Sequence, residues 1–272
     1  MRSFVRSALA GVLFFVSFGL TAQGKIDQSK KELSEKSDPL PTRPSSESRP
    51  SLHDDDSDHP FLDLFLDITF GLFKFGVIGD YNSEDHLYKS VSFYPFYREG
   101  IGNYRDSIED NLGRLDISNQ FLSDFRNIQA NHLKVTGRPF QYVYARADWH
   151  QLREAFRDQP DDGLALFQLH VCYDRIRLPR FNMGWHLGVT YVGSGVNKAG
   201  VSAGLSAEAF LKKRWSFAGS ATWSAVNGSP VQVFELSSRY HLKNYFVSAG
   251  YEHLRIASPR YDFVGIGGGV YF

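Results

Sequence analysis

Cysteine is nearly absent: Cys172 is the single one in 272 residues, which rules out an internal disulfide and any multi-cysteine metal site. It also lies far from the N-terminal apolar stretch, where a lipid-anchored chain would need a cysteine. Net charge is absent as well, with 30 basic residues against 30 acidic, or 28 against 30 once Arg2 and Arg6 are set aside. Nucleic-acid binding normally demands a basic face, so no such partner is expected. Beyond residue 22 no apolar run reaches the ~18 uncharged residues that a membrane-crossing helix needs.

Residues 1–22 carry a basic start, an apolar stretch over 8–20 and a small residue, Ala22, before Gln23. This is the pattern of a secretory signal peptide, too short to span a bilayer as a helix. Residues 23–59 are rich in Ser, Pro and charge and poor in large apolar side chains. Such a segment buries too little surface to offset its ordering entropy, so it is expected to be a disordered polar linker. Its run "HDDDSDH" at 53–59 lacks the preorganised geometry of a cation site. No metal or cofactor is expected anywhere in the chain.

At residue 60 the character changes, and 60–86 form an apolar, amphipathic segment. Residues 61–78 fit a helix with Asp63, Asp67 and Lys74 on one polar stripe. They also fit a strand with Leu62, Leu64, Leu66, Ile68, Phe70 and Leu72 on one side, and the helix is preferred. The remainder, 87–272, reads as a β-domain, clearest from 138.

In "FNMGWHLGVTY" the odd positions are Phe181, Met183, Trp185, Leu187, Val189 and Tyr191, and the even ones are Asn182, Gly184, His186, Gly188 and Thr190. Strict period two defines a strand with one greasy and one polar or small face. Eight such runs follow one another at about 138–150, 163–178, 181–194, 199–212, 214–226, 230–243, 245–257 and 261–272, separated by turn signals such as Asn227-Gly228. These runs are about twice the usual globular strand length. They match what a tilted strand needs to cross a bilayer.

A soluble sandwich also alternates, but its exposed face would carry Thr, Lys and Glu. Here the polar face holds Gly184, Gly188, Gly200, Gly204, Gly265, Gly267 and Gly269, as a confined interior requires. The greasy face places Phe181, Tyr191, Trp215, Trp223, Tyr245 and Phe272 near strand ends, where interfacial girdles lie. Lipid cannot satisfy an open sheet edge, so the wall must close. The expected fold is an all-β, antiparallel transmembrane β-barrel. A further hairpin over 115–124 and the segment after it, with 88–98 restoring an even count, gives ten strands; eight is the alternative.

The ending resembles the assembly signal of Gram-negative outer-membrane barrels: a final aromatic, Phe272, a hydrophobic residue two before it, Val270, and a glycine further back, Gly267. It departs from that signal at Gly265, where a polar residue is usual. The resemblance implies an outer-membrane location, lipid around the wall, and the barrel assembly machinery as a partner during biogenesis.

Inward-facing charge is the next feature. Arg146, His170, Asp174, His186, Glu208, Glu235, Arg239 and Glu252 all fall on the lumen parity. Glu235 and Glu252 lie level on adjacent strands and would repel unless a cation pairs with them. Arg146 and His186 are the expected partners, in a structural network that fills the lumen. With Tyr142, Tyr144, Phe246, Phe263 and Tyr271 also inside, little room is left for a pore.

Three catalytic patterns were weighed. "GVSAG" around Ser202 matches a nucleophile elbow, but its unbroken alternation lacks the strand-to-helix turn that chemistry needs. Asp148 and His150, expected near the extracellular rim, are the catalytic candidates; the pair resembles one half of the omptin protease site, whose second aspartate pair has no counterpart. The His-x-Ser arrangement of lipid A deacylases and outer-membrane phospholipases is missing. The leading expectation is a non-enzymatic barrel with a filled lumen and a structural or partner-docking role, with 99–114 and 151–162 as the surface open to a partner. A rim hydrolase using Asp148 and His150, or a narrow channel, are the alternatives.

Overall fold

The computed structural model describes residues 24–35, 77–98, 100–106, 113–139, 142–157, 159–211 and 214–272. A helix, α1 (Lys25–Ser34), comes first, followed by a 3-10 turn over Asp85–Tyr88 and two short strands, β1 (Ser90–Val91) and β2 (Tyr104–Arg105), that pair with each other. Ten long strands follow: β3 (Arg114–Ser123), β4 (Ile128–Arg138), β5 (Val143–Glu154), β6 (Asp162–Leu178), β7 (Phe181–Val192), β8 (Lys198–Phe210), β9 (Trp215–Val226), β10 (Ser229–Leu242), β11 (Tyr245–Ile256) and β12 (Arg260–Tyr271). Each pairs antiparallel with its sequence neighbour, and β12 pairs with β3 to close the barrel.

The expected ten-strand closed wall is therefore present, with one change of membership. Residues 88–98 are not a wall strand; the hairpin of β3 and β4 supplies the even count by itself. The closing seam is carried by the last residue, whose amide donates to the Leu115 carbonyl while its own carbonyl accepts from the Leu115 amide.

Side-chain parity follows the sequence pattern. Val201 and Ile266 are 75% and 68% exposed on the outer face, with Leu169, Leu187, Leu236 and Val247 also open. In water this belt would be a severe aggregation hazard; in lipid it is the solvated face. Outer aromatics meet across strands at two heights, Trp149–Phe167–Tyr191 toward one rim and Tyr173–Trp185 and Trp215–Tyr240 toward the other. Inside, glycine makes room: a Cβ on Gly204 would strike both the Ala221 carbonyl and the imidazole of His186. Strand β6 carries a bulge between Asp174 and Ile176, and a one-residue slip flips parity, so Asp174 and Arg177 both face in.

One expectation about the N-terminal region changes, and the other falls mostly outside the described residues. Part of the 23–59 linker is ordered, because α1 sits in the mouth of the barrel formed by the turns at 124–127, 155–161, 193–197, 227–228 and 257–259. The amphipathic segment at 61–76 lies outside the described residues, and 77–86 lead into the 3-10 turn without forming an α-helix.

Candidate functional site in the barrel lumen

The lumen is filled in three layers. The first is apolar. Ile26 and Leu33 of α1, seven positions apart on one helix face, are fully buried among Leu122, Leu152, Leu164 and Ile256. Polar contacts fix the helix at both ends. Glu154 Oε2 accepts from the Ile26 amide at 3.0 Å, serving as the cap that Gly24 cannot provide. Asn227 Nδ2 donates to the Leu33 and Glu35 carbonyls at 2.8 and 3.0 Å, meeting acceptors the helix end leaves open. Ser29 Oγ reaches the Tyr261 hydroxyl at 2.8 Å, and Lys30 pairs with Asp162.

The second layer is the charged centre. Glu235 and Glu252 stand directly opposite one another on β10 and β11, as their level predicted. Their partners differ from those expected. Lys134 Nζ lies 2.5 Å from Glu235 and 3.5 Å from Asp148. His132 presents Nδ1 to Glu252 at 3.0 Å and Nε2 to Asp148 at 3.2 Å. Arg146 Nε donates to Asp148 at 3.0 Å. His186 instead meets Thr222 Oγ1 at 2.9 Å and faces neither glutamate. His150 stacks on His132 with ring centroids 3.7 Å apart and brings Nε2 to 2.7 Å from Glu252 Oε1.

The third layer closes the mouth that holds the chain end and the turns at 179–180 and 243–244. Leu87, Ser92, Asn103 and Tyr104 enter there, while 77–78 lie against the outer face, where the Trp185 indole and the Tyr173 hydroxyl donate to the Val77 and Ile78 carbonyls. Tyr104 donates to Asp174 at 2.6 Å, and Tyr144 and Arg138 reach the same carboxylate at 2.9 and 3.3 Å. Arg177, fully buried, donates to the carbonyls of Leu87, Asp174 and Tyr142. Arg114 binds Ser92 O and Asn103 Oδ1, both at 3.0 Å, and Asn103 binds Glu208, which also pairs with Arg239 at 3.2 Å. Outside the wall strands, two hydrogen bonds from Arg175, at 2.7 and 2.8 Å, hold the Glu84 carboxyl below the usual carboxylate range. A cavity of about 110 Å³ remains between the second and third layers, lined in part by Arg114, Lys134, Arg146, Glu235 and Arg239.

The eight charged residues picked out by parity all line this interior. Lys134, His132, Arg138 and Arg177 were missed. Tyr142 was placed inside but is 39% exposed, and 100–106 enter the chain-end mouth although they were expected on the external surface.

Asp148 and His150 lie below the apolar layer rather than at a rim, 3% and 0% exposed, with Asp148 held by Arg146, Lys134 and His132. Ser202 sits mid-strand in β8, where its Oγ meets His170 Nε2 at 3.0 Å, while His170 Nδ1 is 3.9 Å from Asp148. That order of contacts imitates a serine-hydrolase triad, but the last separation exceeds a hydrogen bond and all three groups are sealed from substrate.

No family model matches the chain, and no curated protein sequence matches it. Solved structures similar to it are barrels. They include the N-terminal β-barrel domain of Pseudomonas aeruginosa OprF, at 11% identity over 58% of this chain and 97% of that one, with a TM-score of 0.31. Neisserial surface protein A is similar at 14% identity over 59% and 96%, with a TM-score of 0.28. Outer membrane protease OmpT from Escherichia coli is similar at 9% identity over 62% and 99%, with a TM-score of 0.36. By its closed wall, greasy outside and polar inside, this chain is an outer-membrane β-barrel.

Proposed function

We propose that this protein is a sealed outer-membrane barrel, a non-enzymatic scaffold that presents one decorated end to a partner. The observation that carries this reading is that the chain fills its own mouths, with α1 at one and Leu87, Ser92, Asn103 and Tyr104 at the other. Export by the 1–22 signal peptide and insertion by the barrel assembly machinery through Gly267, Val270 and Phe272 complete the proposal, in a Gram-negative envelope. With the C-terminal end of the barrel on the periplasmic side, the surface left for a partner at the opposite mouth is the polar outer face of α1, with Asp27, Gln28 and Lys31, and the turn between β5 and β6 beside it. Planar-bilayer recording of the purified protein tests the seal. No discrete conductance is expected, and steady channels in the wild-type protein would overturn the reading.

A further inference from the structure

We infer that the centre of the lumen is a binding site for one divalent transition-metal ion, zinc by its donor set, held by His132, His150 and Glu252. Among the described residues these three bring one ligand atom each within 4.8 Å of the others. The contact between His150 Nε2 and Glu252 Oε1 is the informative one. At 2.7 Å it is a close contact between two groups that can both ligate a metal, and Nδ1 of the fully buried His150 has no hydrogen-bond partner. A buried imidazole nitrogen left unsatisfied is costly. His150 Nε2 and the Glu252 carboxylate converge at a spacing from which both can ligate a common ion.

The surroundings fit. Two imidazoles and one carboxylate form a three-ligand set that leaves a fourth position for water, as in open tetrahedral zinc sites. Tetrahedral bonds of ~2.1 Å place neighbouring ligand atoms ~3.4 Å apart; His150 Nε2 lies 2.7 Å from Glu252 Oε1 and His132 Nδ1 3.0 Å from Glu252 Oε2, so the two imidazoles face the two oxygens of one carboxylate. The outer shell is also in place. His132 turns Nε2 onto Asp148 while Nδ1 faces the site, and Asp148 is fixed in turn by Arg146. A carboxylate behind a ligating histidine sets its tautomer and raises its basicity. Charge points the same way: Asp148, Glu235 and Glu252 face only Lys134 and Arg146 as fixed cations, leaving one negative charge over. The apolar layer around α1 closes the site from one side, and a cavity lies on the other side, beside Lys134, Arg146 and Glu235. This inference does not rest on the sealing role, because a sealed barrel and a conducting one could each hold the ion.

The test is elemental analysis of the full-length folded barrel after loading with zinc chloride and dialysis, with cobalt(II) as a spectroscopic probe. About one equivalent of zinc per chain is expected, with visible cobalt absorption of tetrahedral intensity. His150→Ala and the isosteric Glu252→Gln should each weaken zinc binding at least ~100-fold, and Asp148→Asn by ~10–100-fold. His241→Ala, at the other end of the lumen, should bind as wild type. Heat-modifiable gel migration establishes that each variant is folded, and Glu252→Gln stands in if His150→Ala does not fold. Folded wild-type protein that keeps no zinc would overturn the site and leave His132 bridging Glu252 and Asp148 as an imidazolium. Stoichiometric zinc retained by folded Glu252→Gln, for example on the 53–59 acid run, would overturn it too.

Discussion

The two mouths of this barrel are closed by opposite chemistries. At one, a ten-residue helix contributes two aliphatic side chains to an apolar layer and is pinned at its ends by Glu154 and Asn227. At the other, an irregular segment is held by arginines, tyrosines and carboxylates: Arg177 and Arg114 of the wall donate to the Leu87 and Ser92 carbonyls, and Tyr104 and Asn103 donate to the wall carboxylates of Asp174 and Glu208. Apolar contact is non-directional and tolerates a regular helix presented as a unit. A polar plug must satisfy each buried group one at a time, which explains why its backbone is irregular and why Arg114 and Arg177 each donate to several acceptors.

Disrupting the apolar closure should have the largest effect. Ile26→Asp with Leu33→Asp replaces two buried aliphatic groups, whose truncation alone costs ~2–5 kcal/mol each, and should unseat α1 while leaving the wall intact. Trypsin would then cleave at Lys30 and Lys31, with heat-modifiable migration unchanged; continued protection of these lysines would show that the polar pins suffice. The polar closure has its own weak point in Arg177. Arg177→Ala strands the carbonyls of Leu87, Asp174 and Tyr142 and should lower stability in urea by at least ~3 kcal/mol.

A smaller effect, ~1 kcal/mol, is expected from Glu154→Ala, which removes the surrogate helix cap. It should appear as faster hydrogen exchange across α1 and nowhere at the opposite mouth. Smallest is the pH response of Glu84. Its carboxyl sits below its ordinary value of 4.5, so its bond to Arg175 contributes fully above that pH and is lost as pH falls through the lowered folded value. Protection of residues 77–89 should therefore hold from pH 7 to about 4.5 and fall below it, and Arg175→Ala should abolish the step.

The wall was legible because lipid and lumen impose different chemistry on alternate residues, and most strands from β6 onward wear that difference openly. Strand β4 hid because its outward positions begin with Gln129 and Asn131, which blur the greasy face. With β4 read only as the second arm of a hairpin and given no parity, His132 and Lys134 were not assigned, and Glu235 and Glu252 were matched to Arg146 and His186 instead. Helix α1 hid for a different reason. Ile26, Ser29 and Leu33 mark one face, but two aliphatic residues are too few to signal burial unless the receiving mouth is already known.

The sequence by itself determined the barrel, its parity, its closing strand at Phe272 and eight of the charged or titratable residues that face inward, because period-two patterning is local and survives without knowledge of neighbours. Only the tertiary structure decided who meets whom inside. Strand register placed His150 against Glu252, set Asp148 behind His132, and brought a helix from the start of the chain into the far mouth. The first and last of those pairings join residues more than a hundred positions apart, and no local pattern encodes the shear that aligns them.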